Sequence, residues 1–239
     1  MCCKLSKVLN DIDSFLVPVL CFGCNAYLYR GERFLCAFCR NDLPLADCNF
    51  REENPADRLF YGQKAVIKAA ALLHFESEGL GQKLIHHLKY RGQEQIGEWL
   101  GVWYGGVLAA EKALPGIEWV LPVPLHRGKK RRRGYNQCAR FGRGIAASLG
   151  ARYSDSLLLR ARNGQTQTAR DRWTRHERIR GAFQVANPET LEGSRVLLVD
   201  DVITTGATLE ACCEVLGAIP GVQIYIAAMA LVPHRQFPN

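Results

Sequence analysis

The chain has 239 residues, enough for one sizeable domain and a small one, and its 48% hydrophobic content is that of a globular protein. No apolar run reaches the ~18 residues of a membrane span. The net charge of +8 is unevenly placed: residues 126–180 hold 16 Lys+Arg against 3 Asp+Glu, a local +13, and the remainder carries −5. A polyanion is the expected partner of that region, either a pyrophosphate-bearing substrate or nucleic acid; a merely solvated surface is the alternative.

At the N-terminus, Met1–Gly23 contains F-L-V-P-V-L-C, a stretch that imitates a secretory core. Asp11 and Asp13 precede it, Pro18 interrupts it, and no small-residue cleavage site follows. It reads as a short amphipathic helix, and the expected location is cytoplasmic. Cys21-x-x-Cys24 and Cys36-x-x-Cys39 form two knuckles 11 residues apart. Four thiolates around one tetrahedral ion favour structural Zn²⁺. Disulfides, disfavoured in a reducing compartment, and unrelated buried thiols are the alternatives. The spacer suits a small hairpin. Asn25 follows Cys24 where the left-handed conformation is expected, and Asn tolerates it best. Asn49–Asp57 is polar, contains Pro55 and reads as a linker. Residues 1–58 are therefore expected to hold the helix and the cysteine module, and 59–239 the larger domain.

Ala65–Phe75 is apolar enough for a strand. Leu80–Tyr90 repeats apolar residues at helical spacing and stops at L-K-Y-R-G. Gln95–Leu114 reads as a longer helix that Gly105-Gly106 weakens. Glu118–Val123 is the next buried strand. It runs into P-V-P-L-H and six bases, Arg127, Lys129, Lys130, Arg131, Arg132 and Arg133. Ligands of open α/β sheets bind at the carboxyl ends of strands, so Pro124, His126 and these bases form a candidate anion-binding edge. Asn136–Leu149 follows as a helix. The stretch 162–183 is polar and rich in arginine, with Arg170, Arg172 and Arg175 among its bases. It is long for a connection and reads as a lid or as a solvated helix. Val222–Val232 is the last buried strand.

The densest signal is Val196–Thr208, V-L-L-V-D-D-V-I-T-T-G-A-T. Four apolar residues suit a strand buried on both faces. Asp200 and Asp201 stand where that strand should emerge, able to accept from vicinal hydroxyls directly or through Mg²⁺. Thr204, Thr205, Gly206, Ala207 and Thr208 then open a helix whose N-terminus attracts phosphate. A P-loop is excluded: the only Gly-Lys is Gly128-Lys129, with Lys130 next and Val123 where the first glycine is required.

This run resembles the 5-phosphoribosyl-1-pyrophosphate (PRPP) motif of type I phosphoribosyltransferases. Together with L-K-Y-R-G, P-V-P-L-H, R-x-x-G-Y-N-Q and the two knuckles, it is similar to the ComF/GntX family over nearly the whole chain. The resemblance implies an α/β fold with a doubly wound, mostly parallel sheet, preceded by a zinc-ribbon-like module. It implies that Asp200 and Asp201 are the catalytic carboxylates and that Thr204–Thr208 hold the 5-phosphate. By the same resemblance, Pro124, His126, Arg127, Lys129, Lys130, Arg131 and Arg133 lie along pyrophosphate. Gln167, Arg170, Arg172 and Arg175 then belong to a mobile loop near the active site. The expected function is Mg²⁺-dependent glycosyl transfer from PRPP to an acceptor the sequence does not name, with release of pyrophosphate. A link to natural competence and DNA uptake is implied as well. The alternative is a non-catalytic module that keeps the PRPP site while binding single-stranded DNA or competence-machinery proteins.

Overall fold

Alternation along V-L-L-V decides the architecture. Val196 and Leu198 belong to one hydrophobic cluster and Leu197 and Val199 to another, and all four are fully buried. Successive side chains of a strand point to opposite faces, so the strand that holds them must be covered on both sides.

The computed structural model describes residues 19–90, 92–112, 114–161 and 181–233. In chain order the elements are α1 (Ala37–Asn41), β1 (Leu45–Cys48), α2 (Pro55–Arg58), β2 (Val66–His74), α3 (Leu80–Tyr90), α4 (Glu94–Ala110), β3 (Trp119–Pro122), α5 (Arg127–Arg133), α6 (Gln137–Leu149), β4 (Arg152–Tyr153), β5 (Leu158–Arg160), β6 (Phe183–Val185), β7 (Arg195–Ile203), α7 (Ala207–Gly217) and β8 (Gln223–Leu231). Six strands form one sheet in the order β1-β2-β8-β7-β3-β4, and β5 and β6 make a separate antiparallel ribbon. Within the large sheet only β1 runs antiparallel to its neighbour. Helices α3, α4 and α6 cover one face, while α7 and the ribbon cover the other.

Helix α4 runs unbroken through Gly105-Gly106. The reason is a glycine stripe. A Cβ on Gly101 would lie 2.3 Å from the Phe141 carbonyl oxygen, and one on Gly105 would lie 2.7 Å from Ser148 Cβ. The glycines let α6 approach α4 backbone to backbone, and that packing outweighs the ~1 kcal/mol helix penalty of glycine. The helix ends at Ala110, short of the expected Leu114.

The expected linker is a stapled segment. Asn54 and Asp57 form a capping box around α2 and are both buried. Asn54 Nδ2 donates to the Ala69 carbonyl at 2.9 Å, and the Ala69 amide donates to Asp57 Oδ1 at 2.7 Å. Lys68 Nζ pairs with Asp57 at 2.9 Å. Two polar side chains thus satisfy β2 beyond the end of β1, a role that composition alone does not reveal.

Candidate functional site

The adjacent carboxyl ends of β3 and β7 open into a cavity of about 720 Å³. The chain leaves β3 toward β4 on one side and β7 toward β8 on the other, so this is the switch point of the sheet. Lys89, Pro124, His126, Lys129, Arg133, Asn136, Gln137, Cys138, Arg160, Asp200, Asp201 and Thr208 line it.

The two acids do not follow the strand as expected. β7 continues through both and ends at Ile203. Asp201 is buried, and it accepts from Lys89 Nζ at 2.8 Å and from Gln137 Nε2 at 2.5 Å. Asp200 accepts from the Asp201 amide at 2.8 Å and lies 3.5 Å from the buried Cys138 sulfur. Burial, reinforced by the neighbouring Asp201 charge, lifts the Asp200 carboxyl to about 7. Burial also drives the Cys138 thiol far up, so it stays protonated beside the acids. One acid is therefore paired with a cation, and the other takes or releases a proton near neutrality.

Below the acids, α7 starts at Gly206 with φ +77°, and no side chain caps its first turn. The N–H groups of that first turn are therefore presented without a side-chain acceptor among the described residues. Gly206 is buried and faces Phe60, while Thr204 and Thr205 are exposed. Of the predicted loop only Thr208 reaches the cavity lining.

The basic run after β3 forms helix α5, capped by His126, whose Nδ1 accepts from the Gly128 amide at 3.1 Å. Helical spacing divides the expected edge in two. His126, Lys129 and Arg133 face the cavity, whereas Arg127, Lys130 and Arg131 stand exposed outside its lining. Arg133 also sits over the Tyr90 ring, 5.1 Å from its centroid. Two buried polar atoms of this wall, Arg133 Nε and Gln137 Oε1, have no hydrogen-bond partner among the described residues. The expected lid residues Gln167, Arg170, Arg172 and Arg175 lie outside the described residues, as does nearly all of the expected N-terminal helix.

Sequence reasoning did not assign Lys89, Gln137, Cys138 or Arg160 to the site. Lys89 and Gln137 lie inside quoted motifs, L-K-Y-R-G and R-x-x-G-Y-N-Q, but pattern alone does not say which motif residue meets the acids.

The four paired cysteines converge. Their sulfurs all lie within 4.8 Å of one another, and those of Cys24 and Cys36 are 3.7 Å apart. A tetrahedron with metal–sulfur bonds of ~2.3 Å has edges of about 3.8 Å. Backbone amides of Gly23 and Cys36 donate to Cys21 Sγ at 3.4 and 3.3 Å, and Cys39 N donates to Cys36 Sγ at 3.5 Å. Burial raises the Cys21 thiol, but backbone hydrogen bonds from Cys36, Cys24 and Gly23 outweigh it and leave it lowered to about 7. Asn25 adopts φ +60°, the left-handed turn expected after the first knuckle. The spacer makes isolated bridges rather than a regular hairpin. The donor set and its spacing fit a tetrahedral thiophilic ion.

A doubly wound, mostly parallel sheet, with two acids and an open helix N-terminus at its switch point and a four-cysteine cluster before it, defines a type I phosphoribosyltransferase-like protein. The family model of the phosphoribosyl transferase domain matches residues 135–239. Competence protein F of Haemophilus influenzae is 30% identical over 151 residues, which cover 62% of this chain and 66% of that protein. DNA utilization protein YhgH of Escherichia coli is 26% identical over 211 residues, 84% of this chain and 91% of that one. Among solved structures, the glutamine PRPP amidotransferase from B. subtilis aligns with 60% of this chain and 30% of its own, at 19% identity and a TM-score of 0.41. The chain is similar in sequence to the ComF family of phosphoribosyltransferase-like proteins. It spans just under two thirds of the length of the Haemophilus protein. Among the described residues, no helix is long and apolar enough to cross a membrane.

Proposed function

We propose that the cavity binds PRPP with Mg²⁺ and that the chain transfers the phosphoribosyl group to an acceptor, releasing pyrophosphate. The observation that carries this reading is the meeting of Asp200 and Asp201, an uncapped helix N-terminus and one cationic face of α5 around a single cavity. The Thr204–Thr208 loop takes the 5-phosphate, because the N–H groups that open α7 without a side-chain cap and the helix dipole both favour an anion there. Asp200 and Asp201 accept from the ribose hydroxyls. Lys129, Arg133 and the Pro124–His126 turn neutralise the charge that builds on departing pyrophosphate, which is the main electrostatic demand of this reaction. The carboxylate oxygens of Asp200 suit a hard cation, and the Cys138 thiol beside them does not, so a bound Mg²⁺ is completed by ligand oxygens. When bound, Mg²⁺ screens the phosphate charges and polarises the leaving group. We assign structural Zn²⁺ to Cys21, Cys24, Cys36 and Cys39. The likeness to a competence protein and to DNA utilization proteins supports a role connected with DNA.

Thermal melts with PRPP, with and without Mg²⁺, test the binding. A ligand at a hundredfold excess over its dissociation constant stabilises by ~2.7 kcal/mol. A melting point indifferent to millimolar PRPP would sink the reading. A pyrophosphate-release screen against bases and nucleic acid then identifies the acceptor.

A second reading has its own observation. Arg127, Lys130, Arg131 and Arg132 are exposed, and none of them lines the cavity. That outer face suits the backbone of single-stranded DNA held beside the substrate site.

A further inference from the structure

We infer that helix α3 is a strut through which the cysteine finger sets the substrate site, and that Lys89 at its end is a ligand-facing positioning residue for PRPP. The inference rests on the reading of the cavity given above.

One side of α3 meets the finger. Leu80, Lys83 and His87 recur at helical spacing and therefore share a face. The Phe22 ring stacks on His87 with centroids 4.4 Å apart. Lys83 Nζ donates to the Gly23 carbonyl at 3.2 Å. Gly23 lies between the helix and the metal-ligand set: a Cβ there would sit 2.6 Å from Leu80 Cδ1 and 2.7 Å from Cys39 Sγ. Phe22 and Gly23 are the two residues between knuckle cysteines Cys21 and Cys24, so the metal that orders the knuckle also orders the surface offered to α3.

The other end of α3 meets the site with three consecutive residues. The Leu88 carbonyl accepts from the Tyr135 hydroxyl. Lys89 Nζ pairs with Asp201 at 2.8 Å. Tyr90 lies under the Arg133 guanidinium. Displacing this end moves the cation paired with Asp201 and the ring that supports a cavity arginine. Lys89 is also free to exchange Asp201 for a phosphate oxygen of an entering ligand, since an ammonium offers three donors on a flexible stem.

Two readouts on the full chain test this. The first does not involve PRPP: acylation of lysines by an amine-reactive ester, quantified by mass spectrometry, before and after chelation with zinc release confirmed by metal analysis. Lys89 labelling should rise several-fold relative to Lys68, which pairs with Asp57 away from the finger. Phe22→Ala, which leaves all four cysteines in place, should raise it in the zinc-loaded protein. Unchanged Lys89 labelling after confirmed metal release overturns the strut. The second readout is PRPP affinity. Lys89→Met should weaken it about tenfold or more, the scale of removing one hydrogen bond to a charged group, and Lys89→Arg should restore part. Phe22→Ala should weaken binding in the native background and add little in the Lys89→Met background. Fully additive losses overturn the coupling. If wild-type protein ignores PRPP, the cavity reading fails, while the labelling result still decides whether the finger governs Lys89.

Discussion

Asp200 and Asp201 share a strand and a cavity but not an electrostatic setting. Asp201 has Lys89 and Gln137 as partners; Asp200 has a neighbouring carboxylate and a neutral thiol. Burial lifts Asp200 from the usual carboxylate value to about 7. Between these values the folded chain keeps a proton that the unfolded chain has released, so Asp200 makes stability fall as pH rises through that window. Asp200→Asn removes this dependence. The melting-point difference, variant minus wild type, should therefore be more positive at pH 8 than at pH 5. A difference independent of pH would mean that Asp200 titrates normally. On the proposed function, the same proton competes with PRPP–Mg²⁺ at Asp200. PRPP–Mg²⁺ should bind more tightly above pH 7 than below it, and calorimetry in buffers of different ionisation enthalpy should detect proton release.

Helices α4 and α5 both depend on which face each residue takes. In α4 the decisive residue is Gly101, whose missing Cβ admits the Phe141 carbonyl. Ala is the better helix former by ~1 kcal/mol. At Gly101 the new methyl meets backbone rather than a flexible side-chain end, so overpacking of about 1–3 kcal/mol should win and lower the melting point. At Gly106, where nothing lies within 4 Å of the added carbon, Ala should be neutral or stabilising. In α5 the bases divide by face, Lys129 and Arg133 toward the cavity and Arg127, Lys130 and Arg131 away from it. Replacing Arg127, Lys130 and Arg131 with Glu should lower affinity for a labelled oligonucleotide and flatten its salt dependence, by about 0.7 in logarithmic slope for each phosphate no longer neutralised. The same triple change should affect PRPP little. Lys129→Glu with Arg133→Glu should do the reverse and weaken PRPP. An equal effect of both sets on both ligands would show that the two faces do not act separately.

At the scale of the whole molecule, the finger is part of the covering of the sheet. Cys21, Leu35, Cys36 and Leu43 belong to the same hydrophobic cluster as α3, α4 and α6. Protein purified without chelator should contain one zinc per chain, and its removal should lower the melting temperature of the whole chain in one transition, because the cluster is continuous. Two separated transitions, or native protein with four freely titratable thiols and no metal, would contradict this.

The sequence by itself determined the chemistry-bearing strings and most element positions. V-L-L-V is apolar at four successive positions, which suits a strand buried on both faces; T-T-G-A-T has residues small enough to start a helix against a ligand; paired Cys-x-x-Cys places thiolates at tetrahedral reach. These are local properties, set within a turn or a few residues. Tertiary structure decided everything that depends on long-range meeting. Lys89 reads as the last turn of a helix until the fold carries it to Asp201. Gln137 and Cys138 read as an ordinary helix start until α6 places them beside the acids. Asn54 and Asp57 read as linker until β2 offers them the amide and carbonyl of Ala69. The bases between Arg127 and Arg133 look like one surface, yet helical geometry turns only some of them toward the cavity, because a charge run in sequence carries no direction until its backbone has one.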